Sequence, residues 1–366
     1  MAKPEKKCAQ ASASQLLFDF VDTPMQQQLH TKLKRSSRLW KLLFFISTTI
    51  ALIAVVTMAL MVKFAQHPTF LNDFIRWSIK PPPSRRHWQI PTVKELNEGK
   101  PILPIHSHND YWRKRPLLDA LSTGCKSVEA DVWSMPGEDD LFVGHRWIAL
   151  NNFNTLESLY TGPLSLLLDS VNTEGSKFGI FDSDPEEALL LYIDVKNDPE
   201  KVFGLLQNHL QPFMEKGYLT TYNTETQQWS KGPLTVIASG DVPVAQISAM
   251  TLRNVFIDAP LADLNLLVTQ LHELNNTEPI SSLSIMSSAS LRAIAGSKGK
   301  SQGGLTTSEK ESLKRAIDNA HDLGIQSRVW ETPAWPLEQR DQVWRDLLKL
   351  GVDMINADDL QGAANL

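Results

Sequence analysis

Cysteine is nearly absent from this chain. Two occur in 366 residues, Cys8 and Cys125, so a disulfide framework is excluded as the source of stability. An excess of positive charge is also missing. Thirty-six lysines and arginines stand against 41 acidic residues, giving a formal charge of -5 and a pI near 6.0. That leaves no basic footprint for nucleic acid, and any attraction for phosphate has to be local. Two nucleotide signatures are lacking as well. No glycine-rich phosphate turn follows the first candidate strand, which disfavours a doubly wound open sheet. The stretch GSKGKSQGG over 296–304 has the look of a P-loop, but that spacing requires glycine where Ile294 stands, and a solvated loop is the better reading. Hydrophobic residues make up 42% of the chain, enough for a full core, and the length suits one large domain plus an anchor.

Charge, proline and glycine are all missing from residues 42–62, LLFFISTTIALIAVVTMALMV. A helix of this length crosses roughly 30 Å of hydrocarbon. Lys32, Lys34, Arg35, Arg38 and Lys41 precede the run, and Lys63 is the single cation close behind it. The positive-inside rule therefore predicts a single-pass type II protein: residues 1–41 a disordered cytosolic tail, 42–62 the transmembrane helix, and the large domain lumenal or extracellular. In that topology Cys8 and Cys125 lie on opposite sides of the membrane. A buried core helix and a cleaved signal compete with this reading, and the length of the run and of the basic tail argues against both. Residues 63–87 are expected to be a juxtamembrane linker, with Phe70, Phe74, Trp77 and Ile79 suited to an interfacial helix and the prolines at 81–83 to an extended spacer. Asn275-Asn276-Thr277 is a glycosylation sequon, informative only for a lumenal domain.

From residue 88 to 366, short apolar runs alternate with helical patterns. The runs are 102–106, 126–133, 141–145, 190–195, 234–239, 255–258, 283–286, 325–330 and 352–356. Helical periodicity is clearest at Leu313, Ala316, Ile317, Ala320 and Leu323, and at Val343, Trp344, Leu347 and Leu348. Alternation on this scale predicts an α/β fold, a (β/α)8 TIM-type barrel behind the membrane helix. Nine runs compete for eight places, and 283–286 is the expected surplus.

The chemistry concentrates between Ile105 and His145. IHSHNDY offers His106, His108, Asn109 and Asp110; SVEADVW offers Glu129 and Asp131; LFVGH ends on His145. Residues two apart on a strand share a face, so Glu129 and Asp131 aim at one point, as hard cations require. LYIDVK repeats the spacing with Asp194, a third carboxylate, and Lys196, a point charge for phosphate. An all-oxygen set predicts Mg2+ or Ca2+ rather than zinc. Imidazoles beside such an ion supply a general acid and base, and the whole reads as a metal-dependent phosphodiester site. Taken singly each residue has a plainer role: a histidine at a strand end as a structural hydrogen-bonding group, Glu129 and Asp131 as partners of Lys126 or Arg146. Tyr111, Trp112, Trp133 and Trp147 suit either an aromatic rim over a lipid or core packing, and Asp358 and Asp359 either reach the rim or cap a last helix.

The order HxHND, ExD, a histidine fourteen residues after Asp131, and DxK resembles the phospholipase-C-like phosphodiesterase superfamily, which includes the glycerophosphodiester phosphodiesterases and sphingomyelinase D enzymes. The fuller set HSHNDY, PLLDALSTG, SVEADVW, LFVGH, VWETP and GVDMINADD most resembles the fungal altered inheritance of mitochondria protein 6 family, from about residue 101 to the end. The resemblance implies His106 and His145 as the acid–base pair, Glu129, Asp131 and Asp194 as metal ligands, and Lys196 on the phosphate. His108 stays open beside His106, because the loop after it is about three residues longer than the sphingomyelinase D pattern. Trp330 matches a tryptophan that lines the substrate groove, although Glu331 and Pro333 depart from the residues usual there. The implied substrate is a lysophospholipid or glycerophosphodiester. Two other classes compete: a metal-dependent amidohydrolase, which lacks its needed histidines after the fifth and sixth strands here, and a non-catalytic membrane-anchored scaffold, against which the intact residue set argues.

Overall fold

Helix α1 (Pro24–Gln66) contains a stretch, Trp40–Val62, with mean hydropathy 2.4 and every side chain exposed. Its hydroxyl groups turn back on their own helix: Thr49 Oγ1 donates to the Phe45 carbonyl at 2.8 Å and Thr57 Oγ1 to the Ile53 carbonyl at 2.8 Å, which satisfies them without an outside partner. The helix starts well before the expected residue 42, because QQQLHTKLKR is made of good helix formers. The computed structural model describes residues 24–66, 90–173, 176–296, 299 and 303–366. Cys8, the aromatic residues expected at the membrane surface and the prolines at 81–83 lie outside them.

Residues 64–366 form a separate unit. Among its described residues, twelve strands follow one another: β1 (Leu103–Ser107), β2 (Cys125–Ser134), β3 (Leu141–Val143), β4 (Leu189–Val195), β5 (Thr221–Asn223), β6 (Gln228–Ser230), β7 (Leu234–Gly240), β8 (Leu252–Arg253), β9 (Val255–Pro260), β10 (Met286–Ser290), β11 (Gln326–Trp330) and β12 (Met354–Ala357). Eight of them, β1, β2, β4, β7, β9, β10, β11 and β12, pair in parallel, and β1 bonds to both β12 and β2, which closes the barrel. The helices that return the chain include α2 (Leu118–Thr123), α3 (Gly162–Val171), α4 (Pro199–Glu215), α5 (Val244–Ser248), α6 (Asn265–Glu273), α7 (Thr307–Asp322), α8 (Leu337–Leu350) and α9 (Leu360–Ala364). This is the (β/α)8 barrel expected from the alternation.

The surplus strand is not the expected one. β10 takes a barrel place, and 280–283 is a helical turn before it. The extra run is β3, which pairs antiparallel with the end of β2, Val132 opposite Val143 and Ser134 opposite Leu141. β2 runs past the barrel rim, and the overshoot folds back as a hairpin. β5, β6 and β8 form a small antiparallel sheet at the amino-terminal end of the barrel.

Register fixes what faces inward. Glu129 pairs with Tyr192, Asp131 with Asp194, and Asp194 with Ser239, so alternate residues of neighbouring strands share the interior. Leu190, Tyr192, Ile237, Met286 and Met354 pack into a small apolar plug there. A much larger core lies between strands and helices. Above the plug the interior turns polar.

The β2–β3 hairpin is clamped from outside by α4. His209 Nε2 lies 3.1 Å from Asp140 Oδ1, and its Nδ1 lies 3.8 Å from Glu157 Oε2. Burial pulls this imidazole down, but hydrogen bonds and charge from the two carboxylates outweigh it and hold it at about 9. A raised value means that the stabilisation is complete below about pH 6.5 and lost as pH rises through 9. Thermal unfolding of the chain should therefore lose about 1–2 kcal/mol across that interval, after discounting for the partners' exposure, and His209→Gln should flatten the profile. An unchanged profile in the variant would remove the clamp.

Candidate active site

The site is assembled at the carboxyl-terminal rim. Glu129 and Asp131 project inward from β2 and Asp194 from β4, and one oxygen of each lies within 4.8 Å of the others. Lys196 Nζ bridges two of them, 3.0 Å from Asp131 Oδ2 and 2.9 Å from Asp194 Oδ2. Asp131 Oδ2 also receives His145 Nδ1 at 3.1 Å and the Tyr111 hydroxyl at 2.9 Å, which leaves Oδ1 as its uncommitted oxygen. Burial, then the charge of Asp131, pushes the Asp194 carboxyl up to about 6 in spite of Lys196. The lysine itself is raised: burial opposes its charge, but Asp131 and Asp194 prevail. Glu129 is held well below the usual carboxylate range; burial works against this, and His108, His106 and Arg328 overcome it. Gly240 ends β7 with φ +72, and a Cβ there would collide with the Asp194 carboxylate, so only glycine leaves room for that acid.

His145 reaches the rim by the hairpin rather than at the end of a parallel strand. Gly144 N donates to the Asp131 carbonyl at 3.0 Å, and Trp133 Nε1 donates to the Gly144 carbonyl at 2.6 Å, fixing the residue before it beside the acid. The edge of Trp112 packs 5.5 Å from its ring. The imidazole remains 35% exposed.

The two histidines of HxH have different surroundings. His106 is fully buried, its Nδ1 2.7 Å from Ser127 Oγ and its ring against the Tyr192 ring at 4.7 Å. Burial first, then the Arg328 guanidinium, pushes it down to about 3, so it is neutral. His108 is 28% exposed, with Nδ1 2.9 Å from Asp358 Oδ1 and Nε2 3.8 Å from Glu129 Oε2. Burial would lower it, but those two carboxylates hold it up at about 9, so it is cationic at neutral pH. Asn109, at φ 48, donates its backbone N–H to Glu129 Oε2 at 2.8 Å. Asp110 faces away: it accepts from Ser107 Oγ at 2.7 Å, Leu117 N at 2.6 Å and the Tyr160 hydroxyl at 3.1 Å, and so organises the loop.

Several plainer alternatives resolve in the same region. Lys126 bonds Glu187 at 2.5 Å, away from the acidic pair. Asp358 reaches the rim, whereas Asp359 caps α9 through Gly362 N at 3.0 Å. Tyr111 is buried and Trp147 exposed. Trp330 stands at the end of β11, partly exposed at the mouth.

The centre of the barrel carries no motif in the sequence. Arg328 is buried beneath the rim, donating from Nε to Ser288 Oγ at 2.8 Å, from Nη1 to Asn356 Oδ1 at 2.8 Å and from Nη2 to Asp258 Oδ2 at 3.2 Å, with its guanidinium 4.7 Å over the Tyr192 ring. Burial drives Asp258 up to about 6 against this guanidinium. His106 Nε2, the Tyr192 hydroxyl, Ser239 Oγ and Asp258 Oδ1 are the buried side-chain atoms without a hydrogen bond among the described residues, and all four belong to this interior.

Acids and imidazoles gathered on the carboxyl rim of a closed parallel barrel define a phosphodiesterase-type (β/α)8 barrel, and residues 96–258 match the AIM6-like phosphodiesterase domain. The chain is 36% identical to an altered inheritance of mitochondria protein 6 homolog of Arthroderma benhamiae, over 75% of this chain and 87% of that protein. It is 34% identical to altered inheritance of mitochondria protein 6 of Saccharomyces cerevisiae, over 75% of this chain and 73% of the other. The chain belongs to the altered inheritance of mitochondria protein 6 family. Among solved structures it is similar to a glycerophosphodiester phosphodiesterase from Parabacteroides distasonis, at 15% identity and a TM-score of 0.43, over 73% of this chain and 97% of that one.

Proposed function

We propose that this protein is a membrane-anchored, divalent-metal-dependent phosphodiesterase that cleaves a phosphodiester such as a lysophospholipid or a glycerophosphodiester, with histidines as acid and base. The observation that carries this reading is the convergence of Glu129, Asp131 and Asp194 within 4.8 Å, with two partly exposed imidazoles beside them. Those three carboxylates are hard oxygen donors with excess negative charge, and they fit Mg2+ or Ca2+. When bound, such an ion supplies charge stabilisation to the phosphoryl oxygens.

The remaining steps use this chain's own residues. Asp131 holds His145 through Nδ1 at 3.1 Å, which leaves Nε2 to take the proton of the attacking hydroxyl. Cationic His108, oriented by Asp358 at 2.9 Å, gives a proton to the leaving alcohol. Lys196 presents a fixed positive charge to a phosphoryl oxygen. His106, neutral and buried, supports Glu129 from beneath, 3.7 Å from Oε1. This assigns to His108 the role that the family resemblance gave His106, because His108 is the one that solvent reaches. Attack by water yields a phosphomonoester; attack by a neighbouring hydroxyl of the substrate yields a cyclic phosphate. Trp40–Val62 anchors the chain, with the barrel lumenal or extracellular.

The test is phosphorus NMR on a panel of phosphodiesters with the purified full chain and added Mg2+ or Ca2+. A diester resonance should convert to a monoester or cyclic phosphate, and chelation should stop it. Silence across the panel would favour a scaffold, and amide hydrolysis with stoichiometric zinc an amidohydrolase. A second readout needs no turnover. Because an ion bound only to the folded state stabilises it by about 2.7 kcal/mol at a hundredfold excess over Kd, Mg2+ or Ca2+ should raise Tm, and Asp131→Asn should abolish the rise.

A further inference from the structure

Large apolar side chains crowd the mouth of the barrel. Trp330 ends β11; Trp335 is 60% exposed in the connection after it, and Leu337, at the start of α8, 55%. In the connection after β3, Trp147 and Ile148 follow His145 and are 49% and 66% exposed. All five lie at the end of the barrel where the candidate catalytic groups gather. At the opposite end of the barrel Trp229 on β6 is the exposed tryptophan among the described residues, and it packs against Phe256 at 4.9 Å. The mouth residues are spread over two connections, and His108 and His145 keep 28% and 35% exposure beside them, so they form a collar rather than a plug.

A bilayer is the occupant this chain itself indicates. It carries a helix with the length and composition to cross one. Tryptophan is the residue that partitions to the headgroup level, apolar body inward and N–H toward the polar layer. Lys114, exposed in the connection after β1 at the same end of the barrel, adds a cation suited to lipid phosphates. The sequon residue Asn275 is exposed at the foot of α6, on the amino-terminal side of the barrel, where a glycan would point away from a surface under the mouth.

We infer that the collar of Trp147, Ile148, Trp330, Trp335 and Leu337 seats the mouth of the barrel on a lipid surface, so that the substrate is a phosphodiester lipid taken from the bilayer rather than a free glycerophosphodiester. The second half rests on the phosphodiesterase reading; the docking does not.

Both halves are tested on the full chain in phosphatidylcholine vesicles. An environment-sensitive fluorophore is attached to Ile148→Cys or, as a control at the opposite end, to Thr226→Cys, in each case with Cys8→Ser and with Cys125 left buried. The label at 148 should shift to the blue and be quenched by brominated lipid, while the label at 226 does neither. Trp335→Glu with Leu337→Glu should abolish the shift and lower turnover of a vesicle phospholipid about tenfold or more, the loss of roughly one buried apolar side chain's worth of surface binding. Turnover of a dispersed short-chain diester should stay unchanged. Equal behaviour of the two labels, or disulfide cross-linking of two unlabelled Ile148→Cys chains, would overturn docking. Docking with unaltered vesicle turnover in the acidic variant would overturn the bilayer route. Lipid-dependent quenching in a chain that turns over no diester would leave docking standing and sink the phosphodiesterase reading instead.

Discussion

Alanine at His108 or at His145 is expected to lower kcat by about 10²–10⁴-fold, the range that loss of a general acid or base costs; Tm should change little for His145→Ala, and for His108→Ala should fall at neutral pH, where the ring's ion pairs with Asp358 and Glu129 are lost. Both rings are partly exposed, 28% and 35%, and neither fills core volume. His106→Ala should behave in the opposite way. That ring is fully buried between Ser127 and Tyr192, and truncation opens a cavity and strands the Ser127 hydroxyl, at about 2–4 kcal/mol. Steady-state kinetics and thermal unfolding on the three variants separate the roles. If His106→Ala were inactive at unchanged Tm while His108→Ala turned over normally, the acid would be His106 after all. The contrast is sharp because His106 lies within β1 and His108 one residue beyond its end, so the two rings differ in depth below the rim.

That contrast shows what a linear reading carries and where it stops. Spacing of two on a strand was sufficient to put Glu129 with Asp131, and Asp194 with Lys196, on common faces. The parallel register of Asp131 against Asp194 then sets the two pairs side by side. Depth below the rim is not written in spacing, since it depends on where each strand ends relative to its neighbours. The hairpin illustrates the same point: 141–145 has the pattern of a barrel strand, and only the overshoot of β2 past the rim turns it back. β10 hides for another reason. Its sequence, MSSAS, has little apolar character because its inward serines meet the polar interior instead of a core. Arg328 escapes altogether. An arginine within a strand ordinarily suggests an exposed position, and its partners Asp258, Ser288 and Asn356 come from three other strands that meet only when the barrel closes.

Arg328→Met should be the most destabilising single substitution in the barrel interior, costing about 3–5 kcal/mol, because it strands a buried acid instead of removing a pair. Asp258 would keep its desolvation and lose the guanidinium 3.2 Å away, while Ser288 and Asn356 would each lose a donor. Lysine should rescue poorly: one ammonium cannot reproduce three directed bonds to three strands while lying over Tyr192. Arg328→Met combined with Asp258→Leu should recover part of the loss, with a coupling above about 1 kcal/mol in a double-mutant cycle on urea unfolding. Additive losses would mean that the two residues are energetically independent, and the guanidinium would then not be the tie that holds the interior of four strands in register beneath the carboxylates. The consequence for the site follows from charge. Arg328 lies behind His106 and contributes to keeping it neutral and Glu129 ionised, so its removal weakens both, and activity should fall with stability even in molecules that remain folded.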